Sequence, residues 1–289
     1  MLLTSDQVPR CQAKFGLTYH VSYAQCCEQM VGFEGKHILE VGGSLPQEFV
    51  FDDLGARTWT ALEAPAYEAE LQTAGGSVHT GSDIKNPAVG AIAERGYGPM
   101  RPDRYRLLWA NIEDLPESYY GHYDLIFSIA AFEHIQPFPL ALDKMFHALK
   151  PGGKLFSMFS PIWSAHDGHH LPQISDRTGQ VFNHGQSPIP PWGHLLMKPA
   201  ELCQYLCQHT DRETAQKIVY YVYQSHHINR LFTEDYLAFV HQSLFNIENL
   251  SLTFPSPIPD YTHSLLQQLH PGRQHFQNNG ILMVLEKPR

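Results

Sequence analysis

The stretch His37 to Pro46, HILEVGGSLP, constrains this chain more than any other, because an apolar run ends in an acid and then breaks into two glycines. Ile38, Leu39 and Val41 read as the end of a buried strand and Glu40 as a carboxylate at its tip. Gly42-Gly43 read as backbone that a ligand can approach closely, since neither residue has a Cβ. A second apolar stretch, Trp59 to Leu62, closes on Glu63. From 40 to 63 is 23 residues, near the roughly 20 at which nucleotide-binding folds present an acid to a ribose hydroxyl.

The length of 289 residues allows one large α/β domain or a domain with a substantial insertion. A net charge of −9 without any Lys/Arg run argues against binding to nucleic acid, which needs a basic stripe for the phosphates. The five cysteines are odd in number and contain no Cys-x-x-Cys, which disfavours a disulfide framework and a thiolate zinc site. Reduced thiols, a polar N-terminus and no uncharged run near the ~18 residues of a membrane span predict a soluble, cytoplasmic protein. Histidine is the unusual entry, with 18 in all and several between His166 and His194.

Periodicity and punctuation predict an alternation of strands and helices. A helix over Tyr19 to Met30 precedes the strand ending at Val41, Pro46 to Leu54 forms the next helix, and strand two ends at Glu63. Thr73 to Arg104 reads as a long connection with one short helix around Val89 to Glu94. Strands follow at Tyr105 to Ala110 and Tyr123 to Ile129. A helix from Leu140 to Leu149 is stopped by Lys150-Pro151-Gly152-Gly153, and Lys154 to Phe159 is strand five. Residues 160–244 break the pattern with a Pro-rich loop, SPIPPWGH, and helices near Pro199 to His209, Arg212 to His227 and Thr233 to Ser243. Phe245 to Phe254 and Gly280 to Glu286 read as two last strands, the final one inserted antiparallel. The expectation is an α/β fold with a doubly wound seven-stranded sheet. It is a single domain over 1–289, with an N-terminal helical cap over 1–35 and a helical substrate lid inserted over 160–244.

In chain order the motifs are Ile38-Leu39-Glu40-Val41-Gly42, Asp114-Leu115-Pro116, Tyr123-Asp124-Leu125-Ile126-Phe127-Ser128, Glu133-His134-Ile135 and Leu149-Lys150-Pro151-Gly152-Gly153. This ordered set resembles the class I S-adenosylmethionine-dependent methyltransferases, in the small-molecule, methyltransferase type 11-like branch. The resemblance covers about Lys36 to Phe159 and, more weakly, the last two strands. It implies a Rossmann-like sheet, S-adenosyl-L-methionine as cofactor and S-adenosyl-L-homocysteine as product. By the same resemblance Glu40, Gly42, Gly43 and Ser44 lie against the methionine part of the cofactor, with the Glu40 carboxylate toward its ammonium group. Glu63, followed by Ala64, accepts both ribose hydroxyls in charge-assisted bonds. Asn111, Ile112 and Glu113 fall at the adenine and Ser128, Ile129 and Ala130 beneath the sulfonium, while order along the chain places Tyr19 and His20 as a cap on the cofactor from the N-terminal helix. The chain departs from the family after Gly43, where Ser44-Leu45-Pro46 replaces a further glycine. A nicotinamide dinucleotide would need G-x-G-x-x-G, which is missing, and that counts against a dehydrogenase.

Methyl transfer from a sulfonium is an in-line displacement, so positioning dominates and a hydroxyl or ammonium acceptor must also lose a proton. Ligands on such sheets lie outside the carboxyl ends of the strands, which makes His134 and the cluster His166, His169 and His170 the candidate catalytic residues. The competing readings are that Glu-His-Ile only starts a helix and that loop histidines bond their own backbone. His166, Asp167, His169 and His170, with His184 and His194 downstream, are metal-ligand types, but they fit no compact motif such as His-Glu-x-x-His, and no metal is expected. Trp163, Phe182, Trp192, Tyr220, Tyr221, Tyr223 and Phe232 either wall a substrate pocket or, the favoured reading, pack a core. The expected activity is methylation of an oxygen or nitrogen of a small, natural-product-like molecule in secondary metabolism. The partner is that small molecule, with no nucleic acid and no membrane, and a homodimer is an open arrangement. Two alternatives stand beside it: a non-catalytic binding protein on the same shell, motivated by the altered glycine loop, and a methyltransferase fold with metal-assisted chemistry at His166 to His170.

Overall fold

The computed structural model describes residues 3–43, 45–64 and 103–289. Its sheet contains β1 (His37–Val41), β2 (Thr58–Glu63), β3 (Tyr105–Trp109), β4 (Tyr123–Ile129) and β5 (Leu149–Phe159), all parallel. A two-residue hairpin, β6 (Ile174–Ser175) with β7 (Val181–Phe182), lies apart from it. β8 (Asn246–Pro255) and β9 (Asn278–Glu286) complete the sheet in the order β3-β2-β1-β4-β5-β9-β8. β9 runs antiparallel to both β5 and β8, as expected of the final strand. The chain therefore leaves β1 toward β2 and β3 on one side, and toward β4 on the other. That reversal opens a crevice at the carboxyl ends of β1 and β4.

Alternation along the strands builds two cores at once, since successive side chains point to opposite faces. Ile38, Trp59, Leu125, Phe127 and Phe156 pack with Val21, Ala24 and Cys27 of the helix Tyr19–Met30. Leu39, Leu62, Ile126 and Leu155 pack on the other face with Leu142 and Met145 of the helix Phe138–Ala148, and with Tyr236 and Val240 of the helix Thr233–Gln242. A third core lies within residues 160–244 and recruits Leu266 and Phe276 from the β8–β9 connection. Trp163, Phe182, Trp192 and Tyr221 are buried there, so for these aromatics the packing role holds.

Several element boundaries differ from the sequence expectation. The leader contains a helix, Val8–Phe15, that buries only Cys11 and Phe15, too few apolar positions to register as a period. The expected helix over Pro46 to Leu54 is one wide π-helical turn, Phe49–Asp53. Lys150 to Gly153 belongs to β5: Tyr123 pairs with Leu149 and the register then shifts before Leu125 pairs with Lys154, while Gly152 takes φ +77°. The helix Asp260–Leu269 lies between β8 and β9, where the sequence expectation assigned no element. The expected helix at Val89 to Glu94 lies outside the described residues. Among the described residues no helix is long and apolar enough to cross a membrane.

Candidate active site

The crevice holds a cavity whose walls come from the tips of β1, β2, β3 and β4 and from Leu17 and the start of the helix Tyr19–Met30. Glu40, at the tip of β1, is buried and accepts from the Leu45 backbone N–H (2.9 Å) and from the Trp59 indole N–H (2.6 Å). Burial pushes its carboxyl up to about 8, against those two donors. This carboxylate thus ties the turn to β2, in addition to lining the cavity. The glycines beside it answer to packing as much as to a ligand. Gly42 has φ +79°, and a Cβ there would sit 2.3 Å from the Ala131 Cβ; one on Gly43 would sit 2.8 Å from Glu40 Oε1. The glycine at 42 lets the ends of β1 and β4 close on each other.

Glu63 and Ala64 form the next part of the wall, then Asn111, Ile112 and Glu113 after β3, then Ile129 and Ala130 after β4. Asn111 uses its amide to donate to Asp114 Oδ2 at 3.0 Å, while Ile112 is buried. Burial pushes the Glu113 carboxyl up. Tyr19 and His20, their rings stacked with centroids 3.9 Å apart, close the cavity from the helix Tyr19–Met30. Ser128 does not reach the cavity. It is fully buried and donates to the Val41 carbonyl at 2.9 Å, so the floor after β4 is Ile129 to Ala131. Ser44 lies outside the described residues. Leu17, Ala131, Gln136 and His226 also line the cavity and were not singled out in the sequence; Leu45, Leu62 and Ile135, named there as parts of motifs and strands, line it as well. Ala131 lies two residues before the Glu133-His134-Ile135 motif and could have been found there. His226 comes from the far end of the insertion and leaves no local signal.

The four candidate histidines separate. His134 alone of them lines the cavity, and its Nδ1–H donates to the His227 carbonyl. His170 packs against it with ring centroids 4.6 Å apart, and His227 and His184 pack on His170 at 5.7 and 5.6 Å. His166 turns toward Asn279 Oδ1 (3.3 Å) and the Trp192 ring, away from the cavity. His169 is buried against His194, where its Nδ1 accepts the Leu171 N–H at 3.2 Å. Burial holds His169 well below the ordinary imidazole range, in the neutral form. The loop divides this way because Gly168 is wedged into the chain: a Cβ there would lie 2.2 Å from the Ile162 carbonyl oxygen.

The methyltransferase domain family matches this chain over residues 32–242. No curated protein is significantly similar to it in sequence. Among solved structures, a Listeria monocytogenes protein provisionally assigned as an S-adenosylmethionine-dependent methyltransferase aligns at 14% identity, over 93% of this chain and 100% of its own, with a TM-score of 0.48. An S-adenosylmethionine-dependent methyltransferase of Mesorhizobium loti aligns at 13% identity, over 91% and 97%, with a TM-score of 0.45. Phosphoethanolamine N-methyltransferase 2 of Haemonchus contortus, in complex with S-adenosyl-L-methionine, aligns at 11% identity, over 93% and 52%, with a TM-score of 0.48. By the domain match over residues 32–242, the chain belongs to the class I S-adenosylmethionine-dependent methyltransferase family.

Proposed function

We propose that the chain transfers a methyl group to an oxygen or nitrogen of a small-molecule acceptor within the cavity at the β1/β4 crevice. S-adenosyl-L-methionine is the cofactor of this family, and when bound it supplies an electrophilic methyl on a sulfonium. The observation that carries the proposal is that one cavity brings Glu40, Gly42-Gly43, Glu63, Asn111 and Ile112 to one set of walls and His134 to another. These residues fit the cofactor: the cradle at Gly42 and Gly43 has no room for a Cβ, an acid ends β2, and Leu62 with Ile112 offers apolar surface for a base.

Glu63 accepts the two ribose hydroxyls, a job for an ionised carboxylate. Ile112 packs the adenine, and Tyr19 and His20 exclude water over the donor. His134, its Nδ1–H held by the His227 carbonyl, presents the lone pair of Nε2 to the acceptor O–H or N–H. Residues 160–244 supply His226 and His227 from over this site, which supports their role as a substrate lid. Titration calorimetry with S-adenosyl-L-homocysteine tests the proposal directly. One molecule bound per chain is expected, and a folded sample that binds none overturns it.

A further inference from the structure

Glu133 is fully buried, and neither of its carboxylate oxygens has a hydrogen-bond partner among the described residues. Folded proteins satisfy nearly all such atoms, because a buried carboxylate without donors or a cation is costly. One ligand atom each from Glu133, His134 and His170 lies within 4.8 Å of the other two. An ion with bonds of about 2.0–2.2 Å to nitrogen and oxygen holds its ligands roughly 3–4 Å apart. Small side-chain movements close the difference.

Two further features prepare the imidazoles as ligands. The His227 carbonyl accepts only, so His134 carries its proton on Nδ1 and its lone pair on Nε2. A backbone carbonyl behind a ring N–H is the usual support of a metal-binding histidine. His170 has a buried Nδ1 without a hydrogen-bond partner among the described residues, and its backbone sits at φ +46°. That conformation is strained for a non-glycine residue, and such residues cluster at functional sites.

We infer that Glu133, His134 and His170 form a site for one divalent transition-metal ion at the wall of the cavity. Two imidazoles and one carboxylate select the zinc, cobalt and iron(II) class over magnesium or calcium, and three protein ligands leave coordination open. The ion takes the Nε2 lone pair that His134 otherwise offers to the acceptor. Resting on the methyltransferase proposal, the consequence is a preference for acceptors whose oxygen completes the coordination.

The full chain, stripped with a chelator, is titrated calorimetrically with Zn²⁺ and separately with Co²⁺, whose bound form is read in the visible spectrum. One ion per chain is expected, with Glu133→Gln and His170→Asn each weakening it at least about 10-fold, and the exposed His241→Asn leaving it unchanged. His170→Asn carries the test if Glu133→Gln fails to fold. Absence of a stoichiometric ion overturns the inference, as does equal affinity in both variants, which assigns binding to other histidines. S-adenosyl-L-homocysteine titrated into the same samples separates the two ideas: its failure to bind removes the methyltransferase proposal and leaves the metal site standing on its own titration.

Discussion

The backbone N–H of Asn229 donates to the carbonyl oxygen of Glu133 across the boundary between the insertion and the sheet. The Asn229 amide also donates to the carbonyls of Phe132 (2.8 Å) and Ile135 (3.0 Å), and its Oδ1 accepts from the Leu231 N–H (3.0 Å) and the Tyr236 hydroxyl (2.9 Å). A single insertion residue thus satisfies the backbone of the turn that carries His134.

Asn229→Ala is expected to cost about 2–4 kcal/mol, because it orphans several partly buried partners at once and each typically costs ~1–3 kcal/mol when left unpaired. Urea denaturation monitored by circular dichroism checks this. A change within 0.5 kcal/mol, about that of an ordinary surface substitution, would show that the clamp is dispensable.

Glu63→Ala is expected to weaken S-adenosyl-L-homocysteine binding by roughly 10- to 100-fold, the equivalent of about 1.5–3 kcal/mol for hydrogen bonds to a charged group. Its circular dichroism spectrum should match that of the parent. Calorimetry that returns an unchanged Kd would remove Glu63 from the cofactor site.

Gly42→Ala places a Cβ 2.3 Å from that of Ala131 in a backbone with φ +79°. A loss of about 2–4 kcal/mol is expected from the overlap and the left-handed conformation together. Adding Ala131→Gly should recover the part due to overlap and leave ~1 kcal/mol of backbone strain. A double-mutant cycle that shows strictly additive losses would refute the contact.

Burial raises the Glu40 carboxyl from 4.5 to about 8 in the folded protein. Between those values the folded state holds a proton that the unfolded state has released. Stability contributed by this group therefore falls as pH rises from 4.5 toward 8, then levels off. The difference in unfolding free energy between the parent and Glu40→Gln, followed by urea melts across that window, should carry this slope. A flat difference would mean that the Leu45 and Trp59 donors outweigh desolvation and keep Glu40 ionised.

Much of the sheet was legible because each strand declares itself locally. Tyr123–Ile129 shows apolar residues on both faces, and Thr58–Glu63 ends on the acid that marks its tip. The cavity positions nearest the motifs, from Glu40 to Ala130, follow from strand ends that a parallel sheet brings together. Ser128 was misplaced by one step of the strand alternation, which sends its hydroxyl to the Val41 carbonyl. The helix Val8–Phe15 escaped notice because it buries so little.

The histidines were another matter. His166, His169 and His170 are nearly adjacent in the chain and end in three different surroundings, because the Gly168 turn and the strained backbone at His170 rotate each ring separately. Alternating strands, the acids at their tips and the glycine pair are properties of short segments, and local order was enough to locate the crevice and to mark the family resemblance that names its cofactor. The grouping of Glu133, His134 and His170, backed by His227, depends on how a long insertion folds back over the sheet through Asn229. No residue spacing encodes that path. It is set by the insertion's own core, and only the packed molecule shows which imidazoles meet.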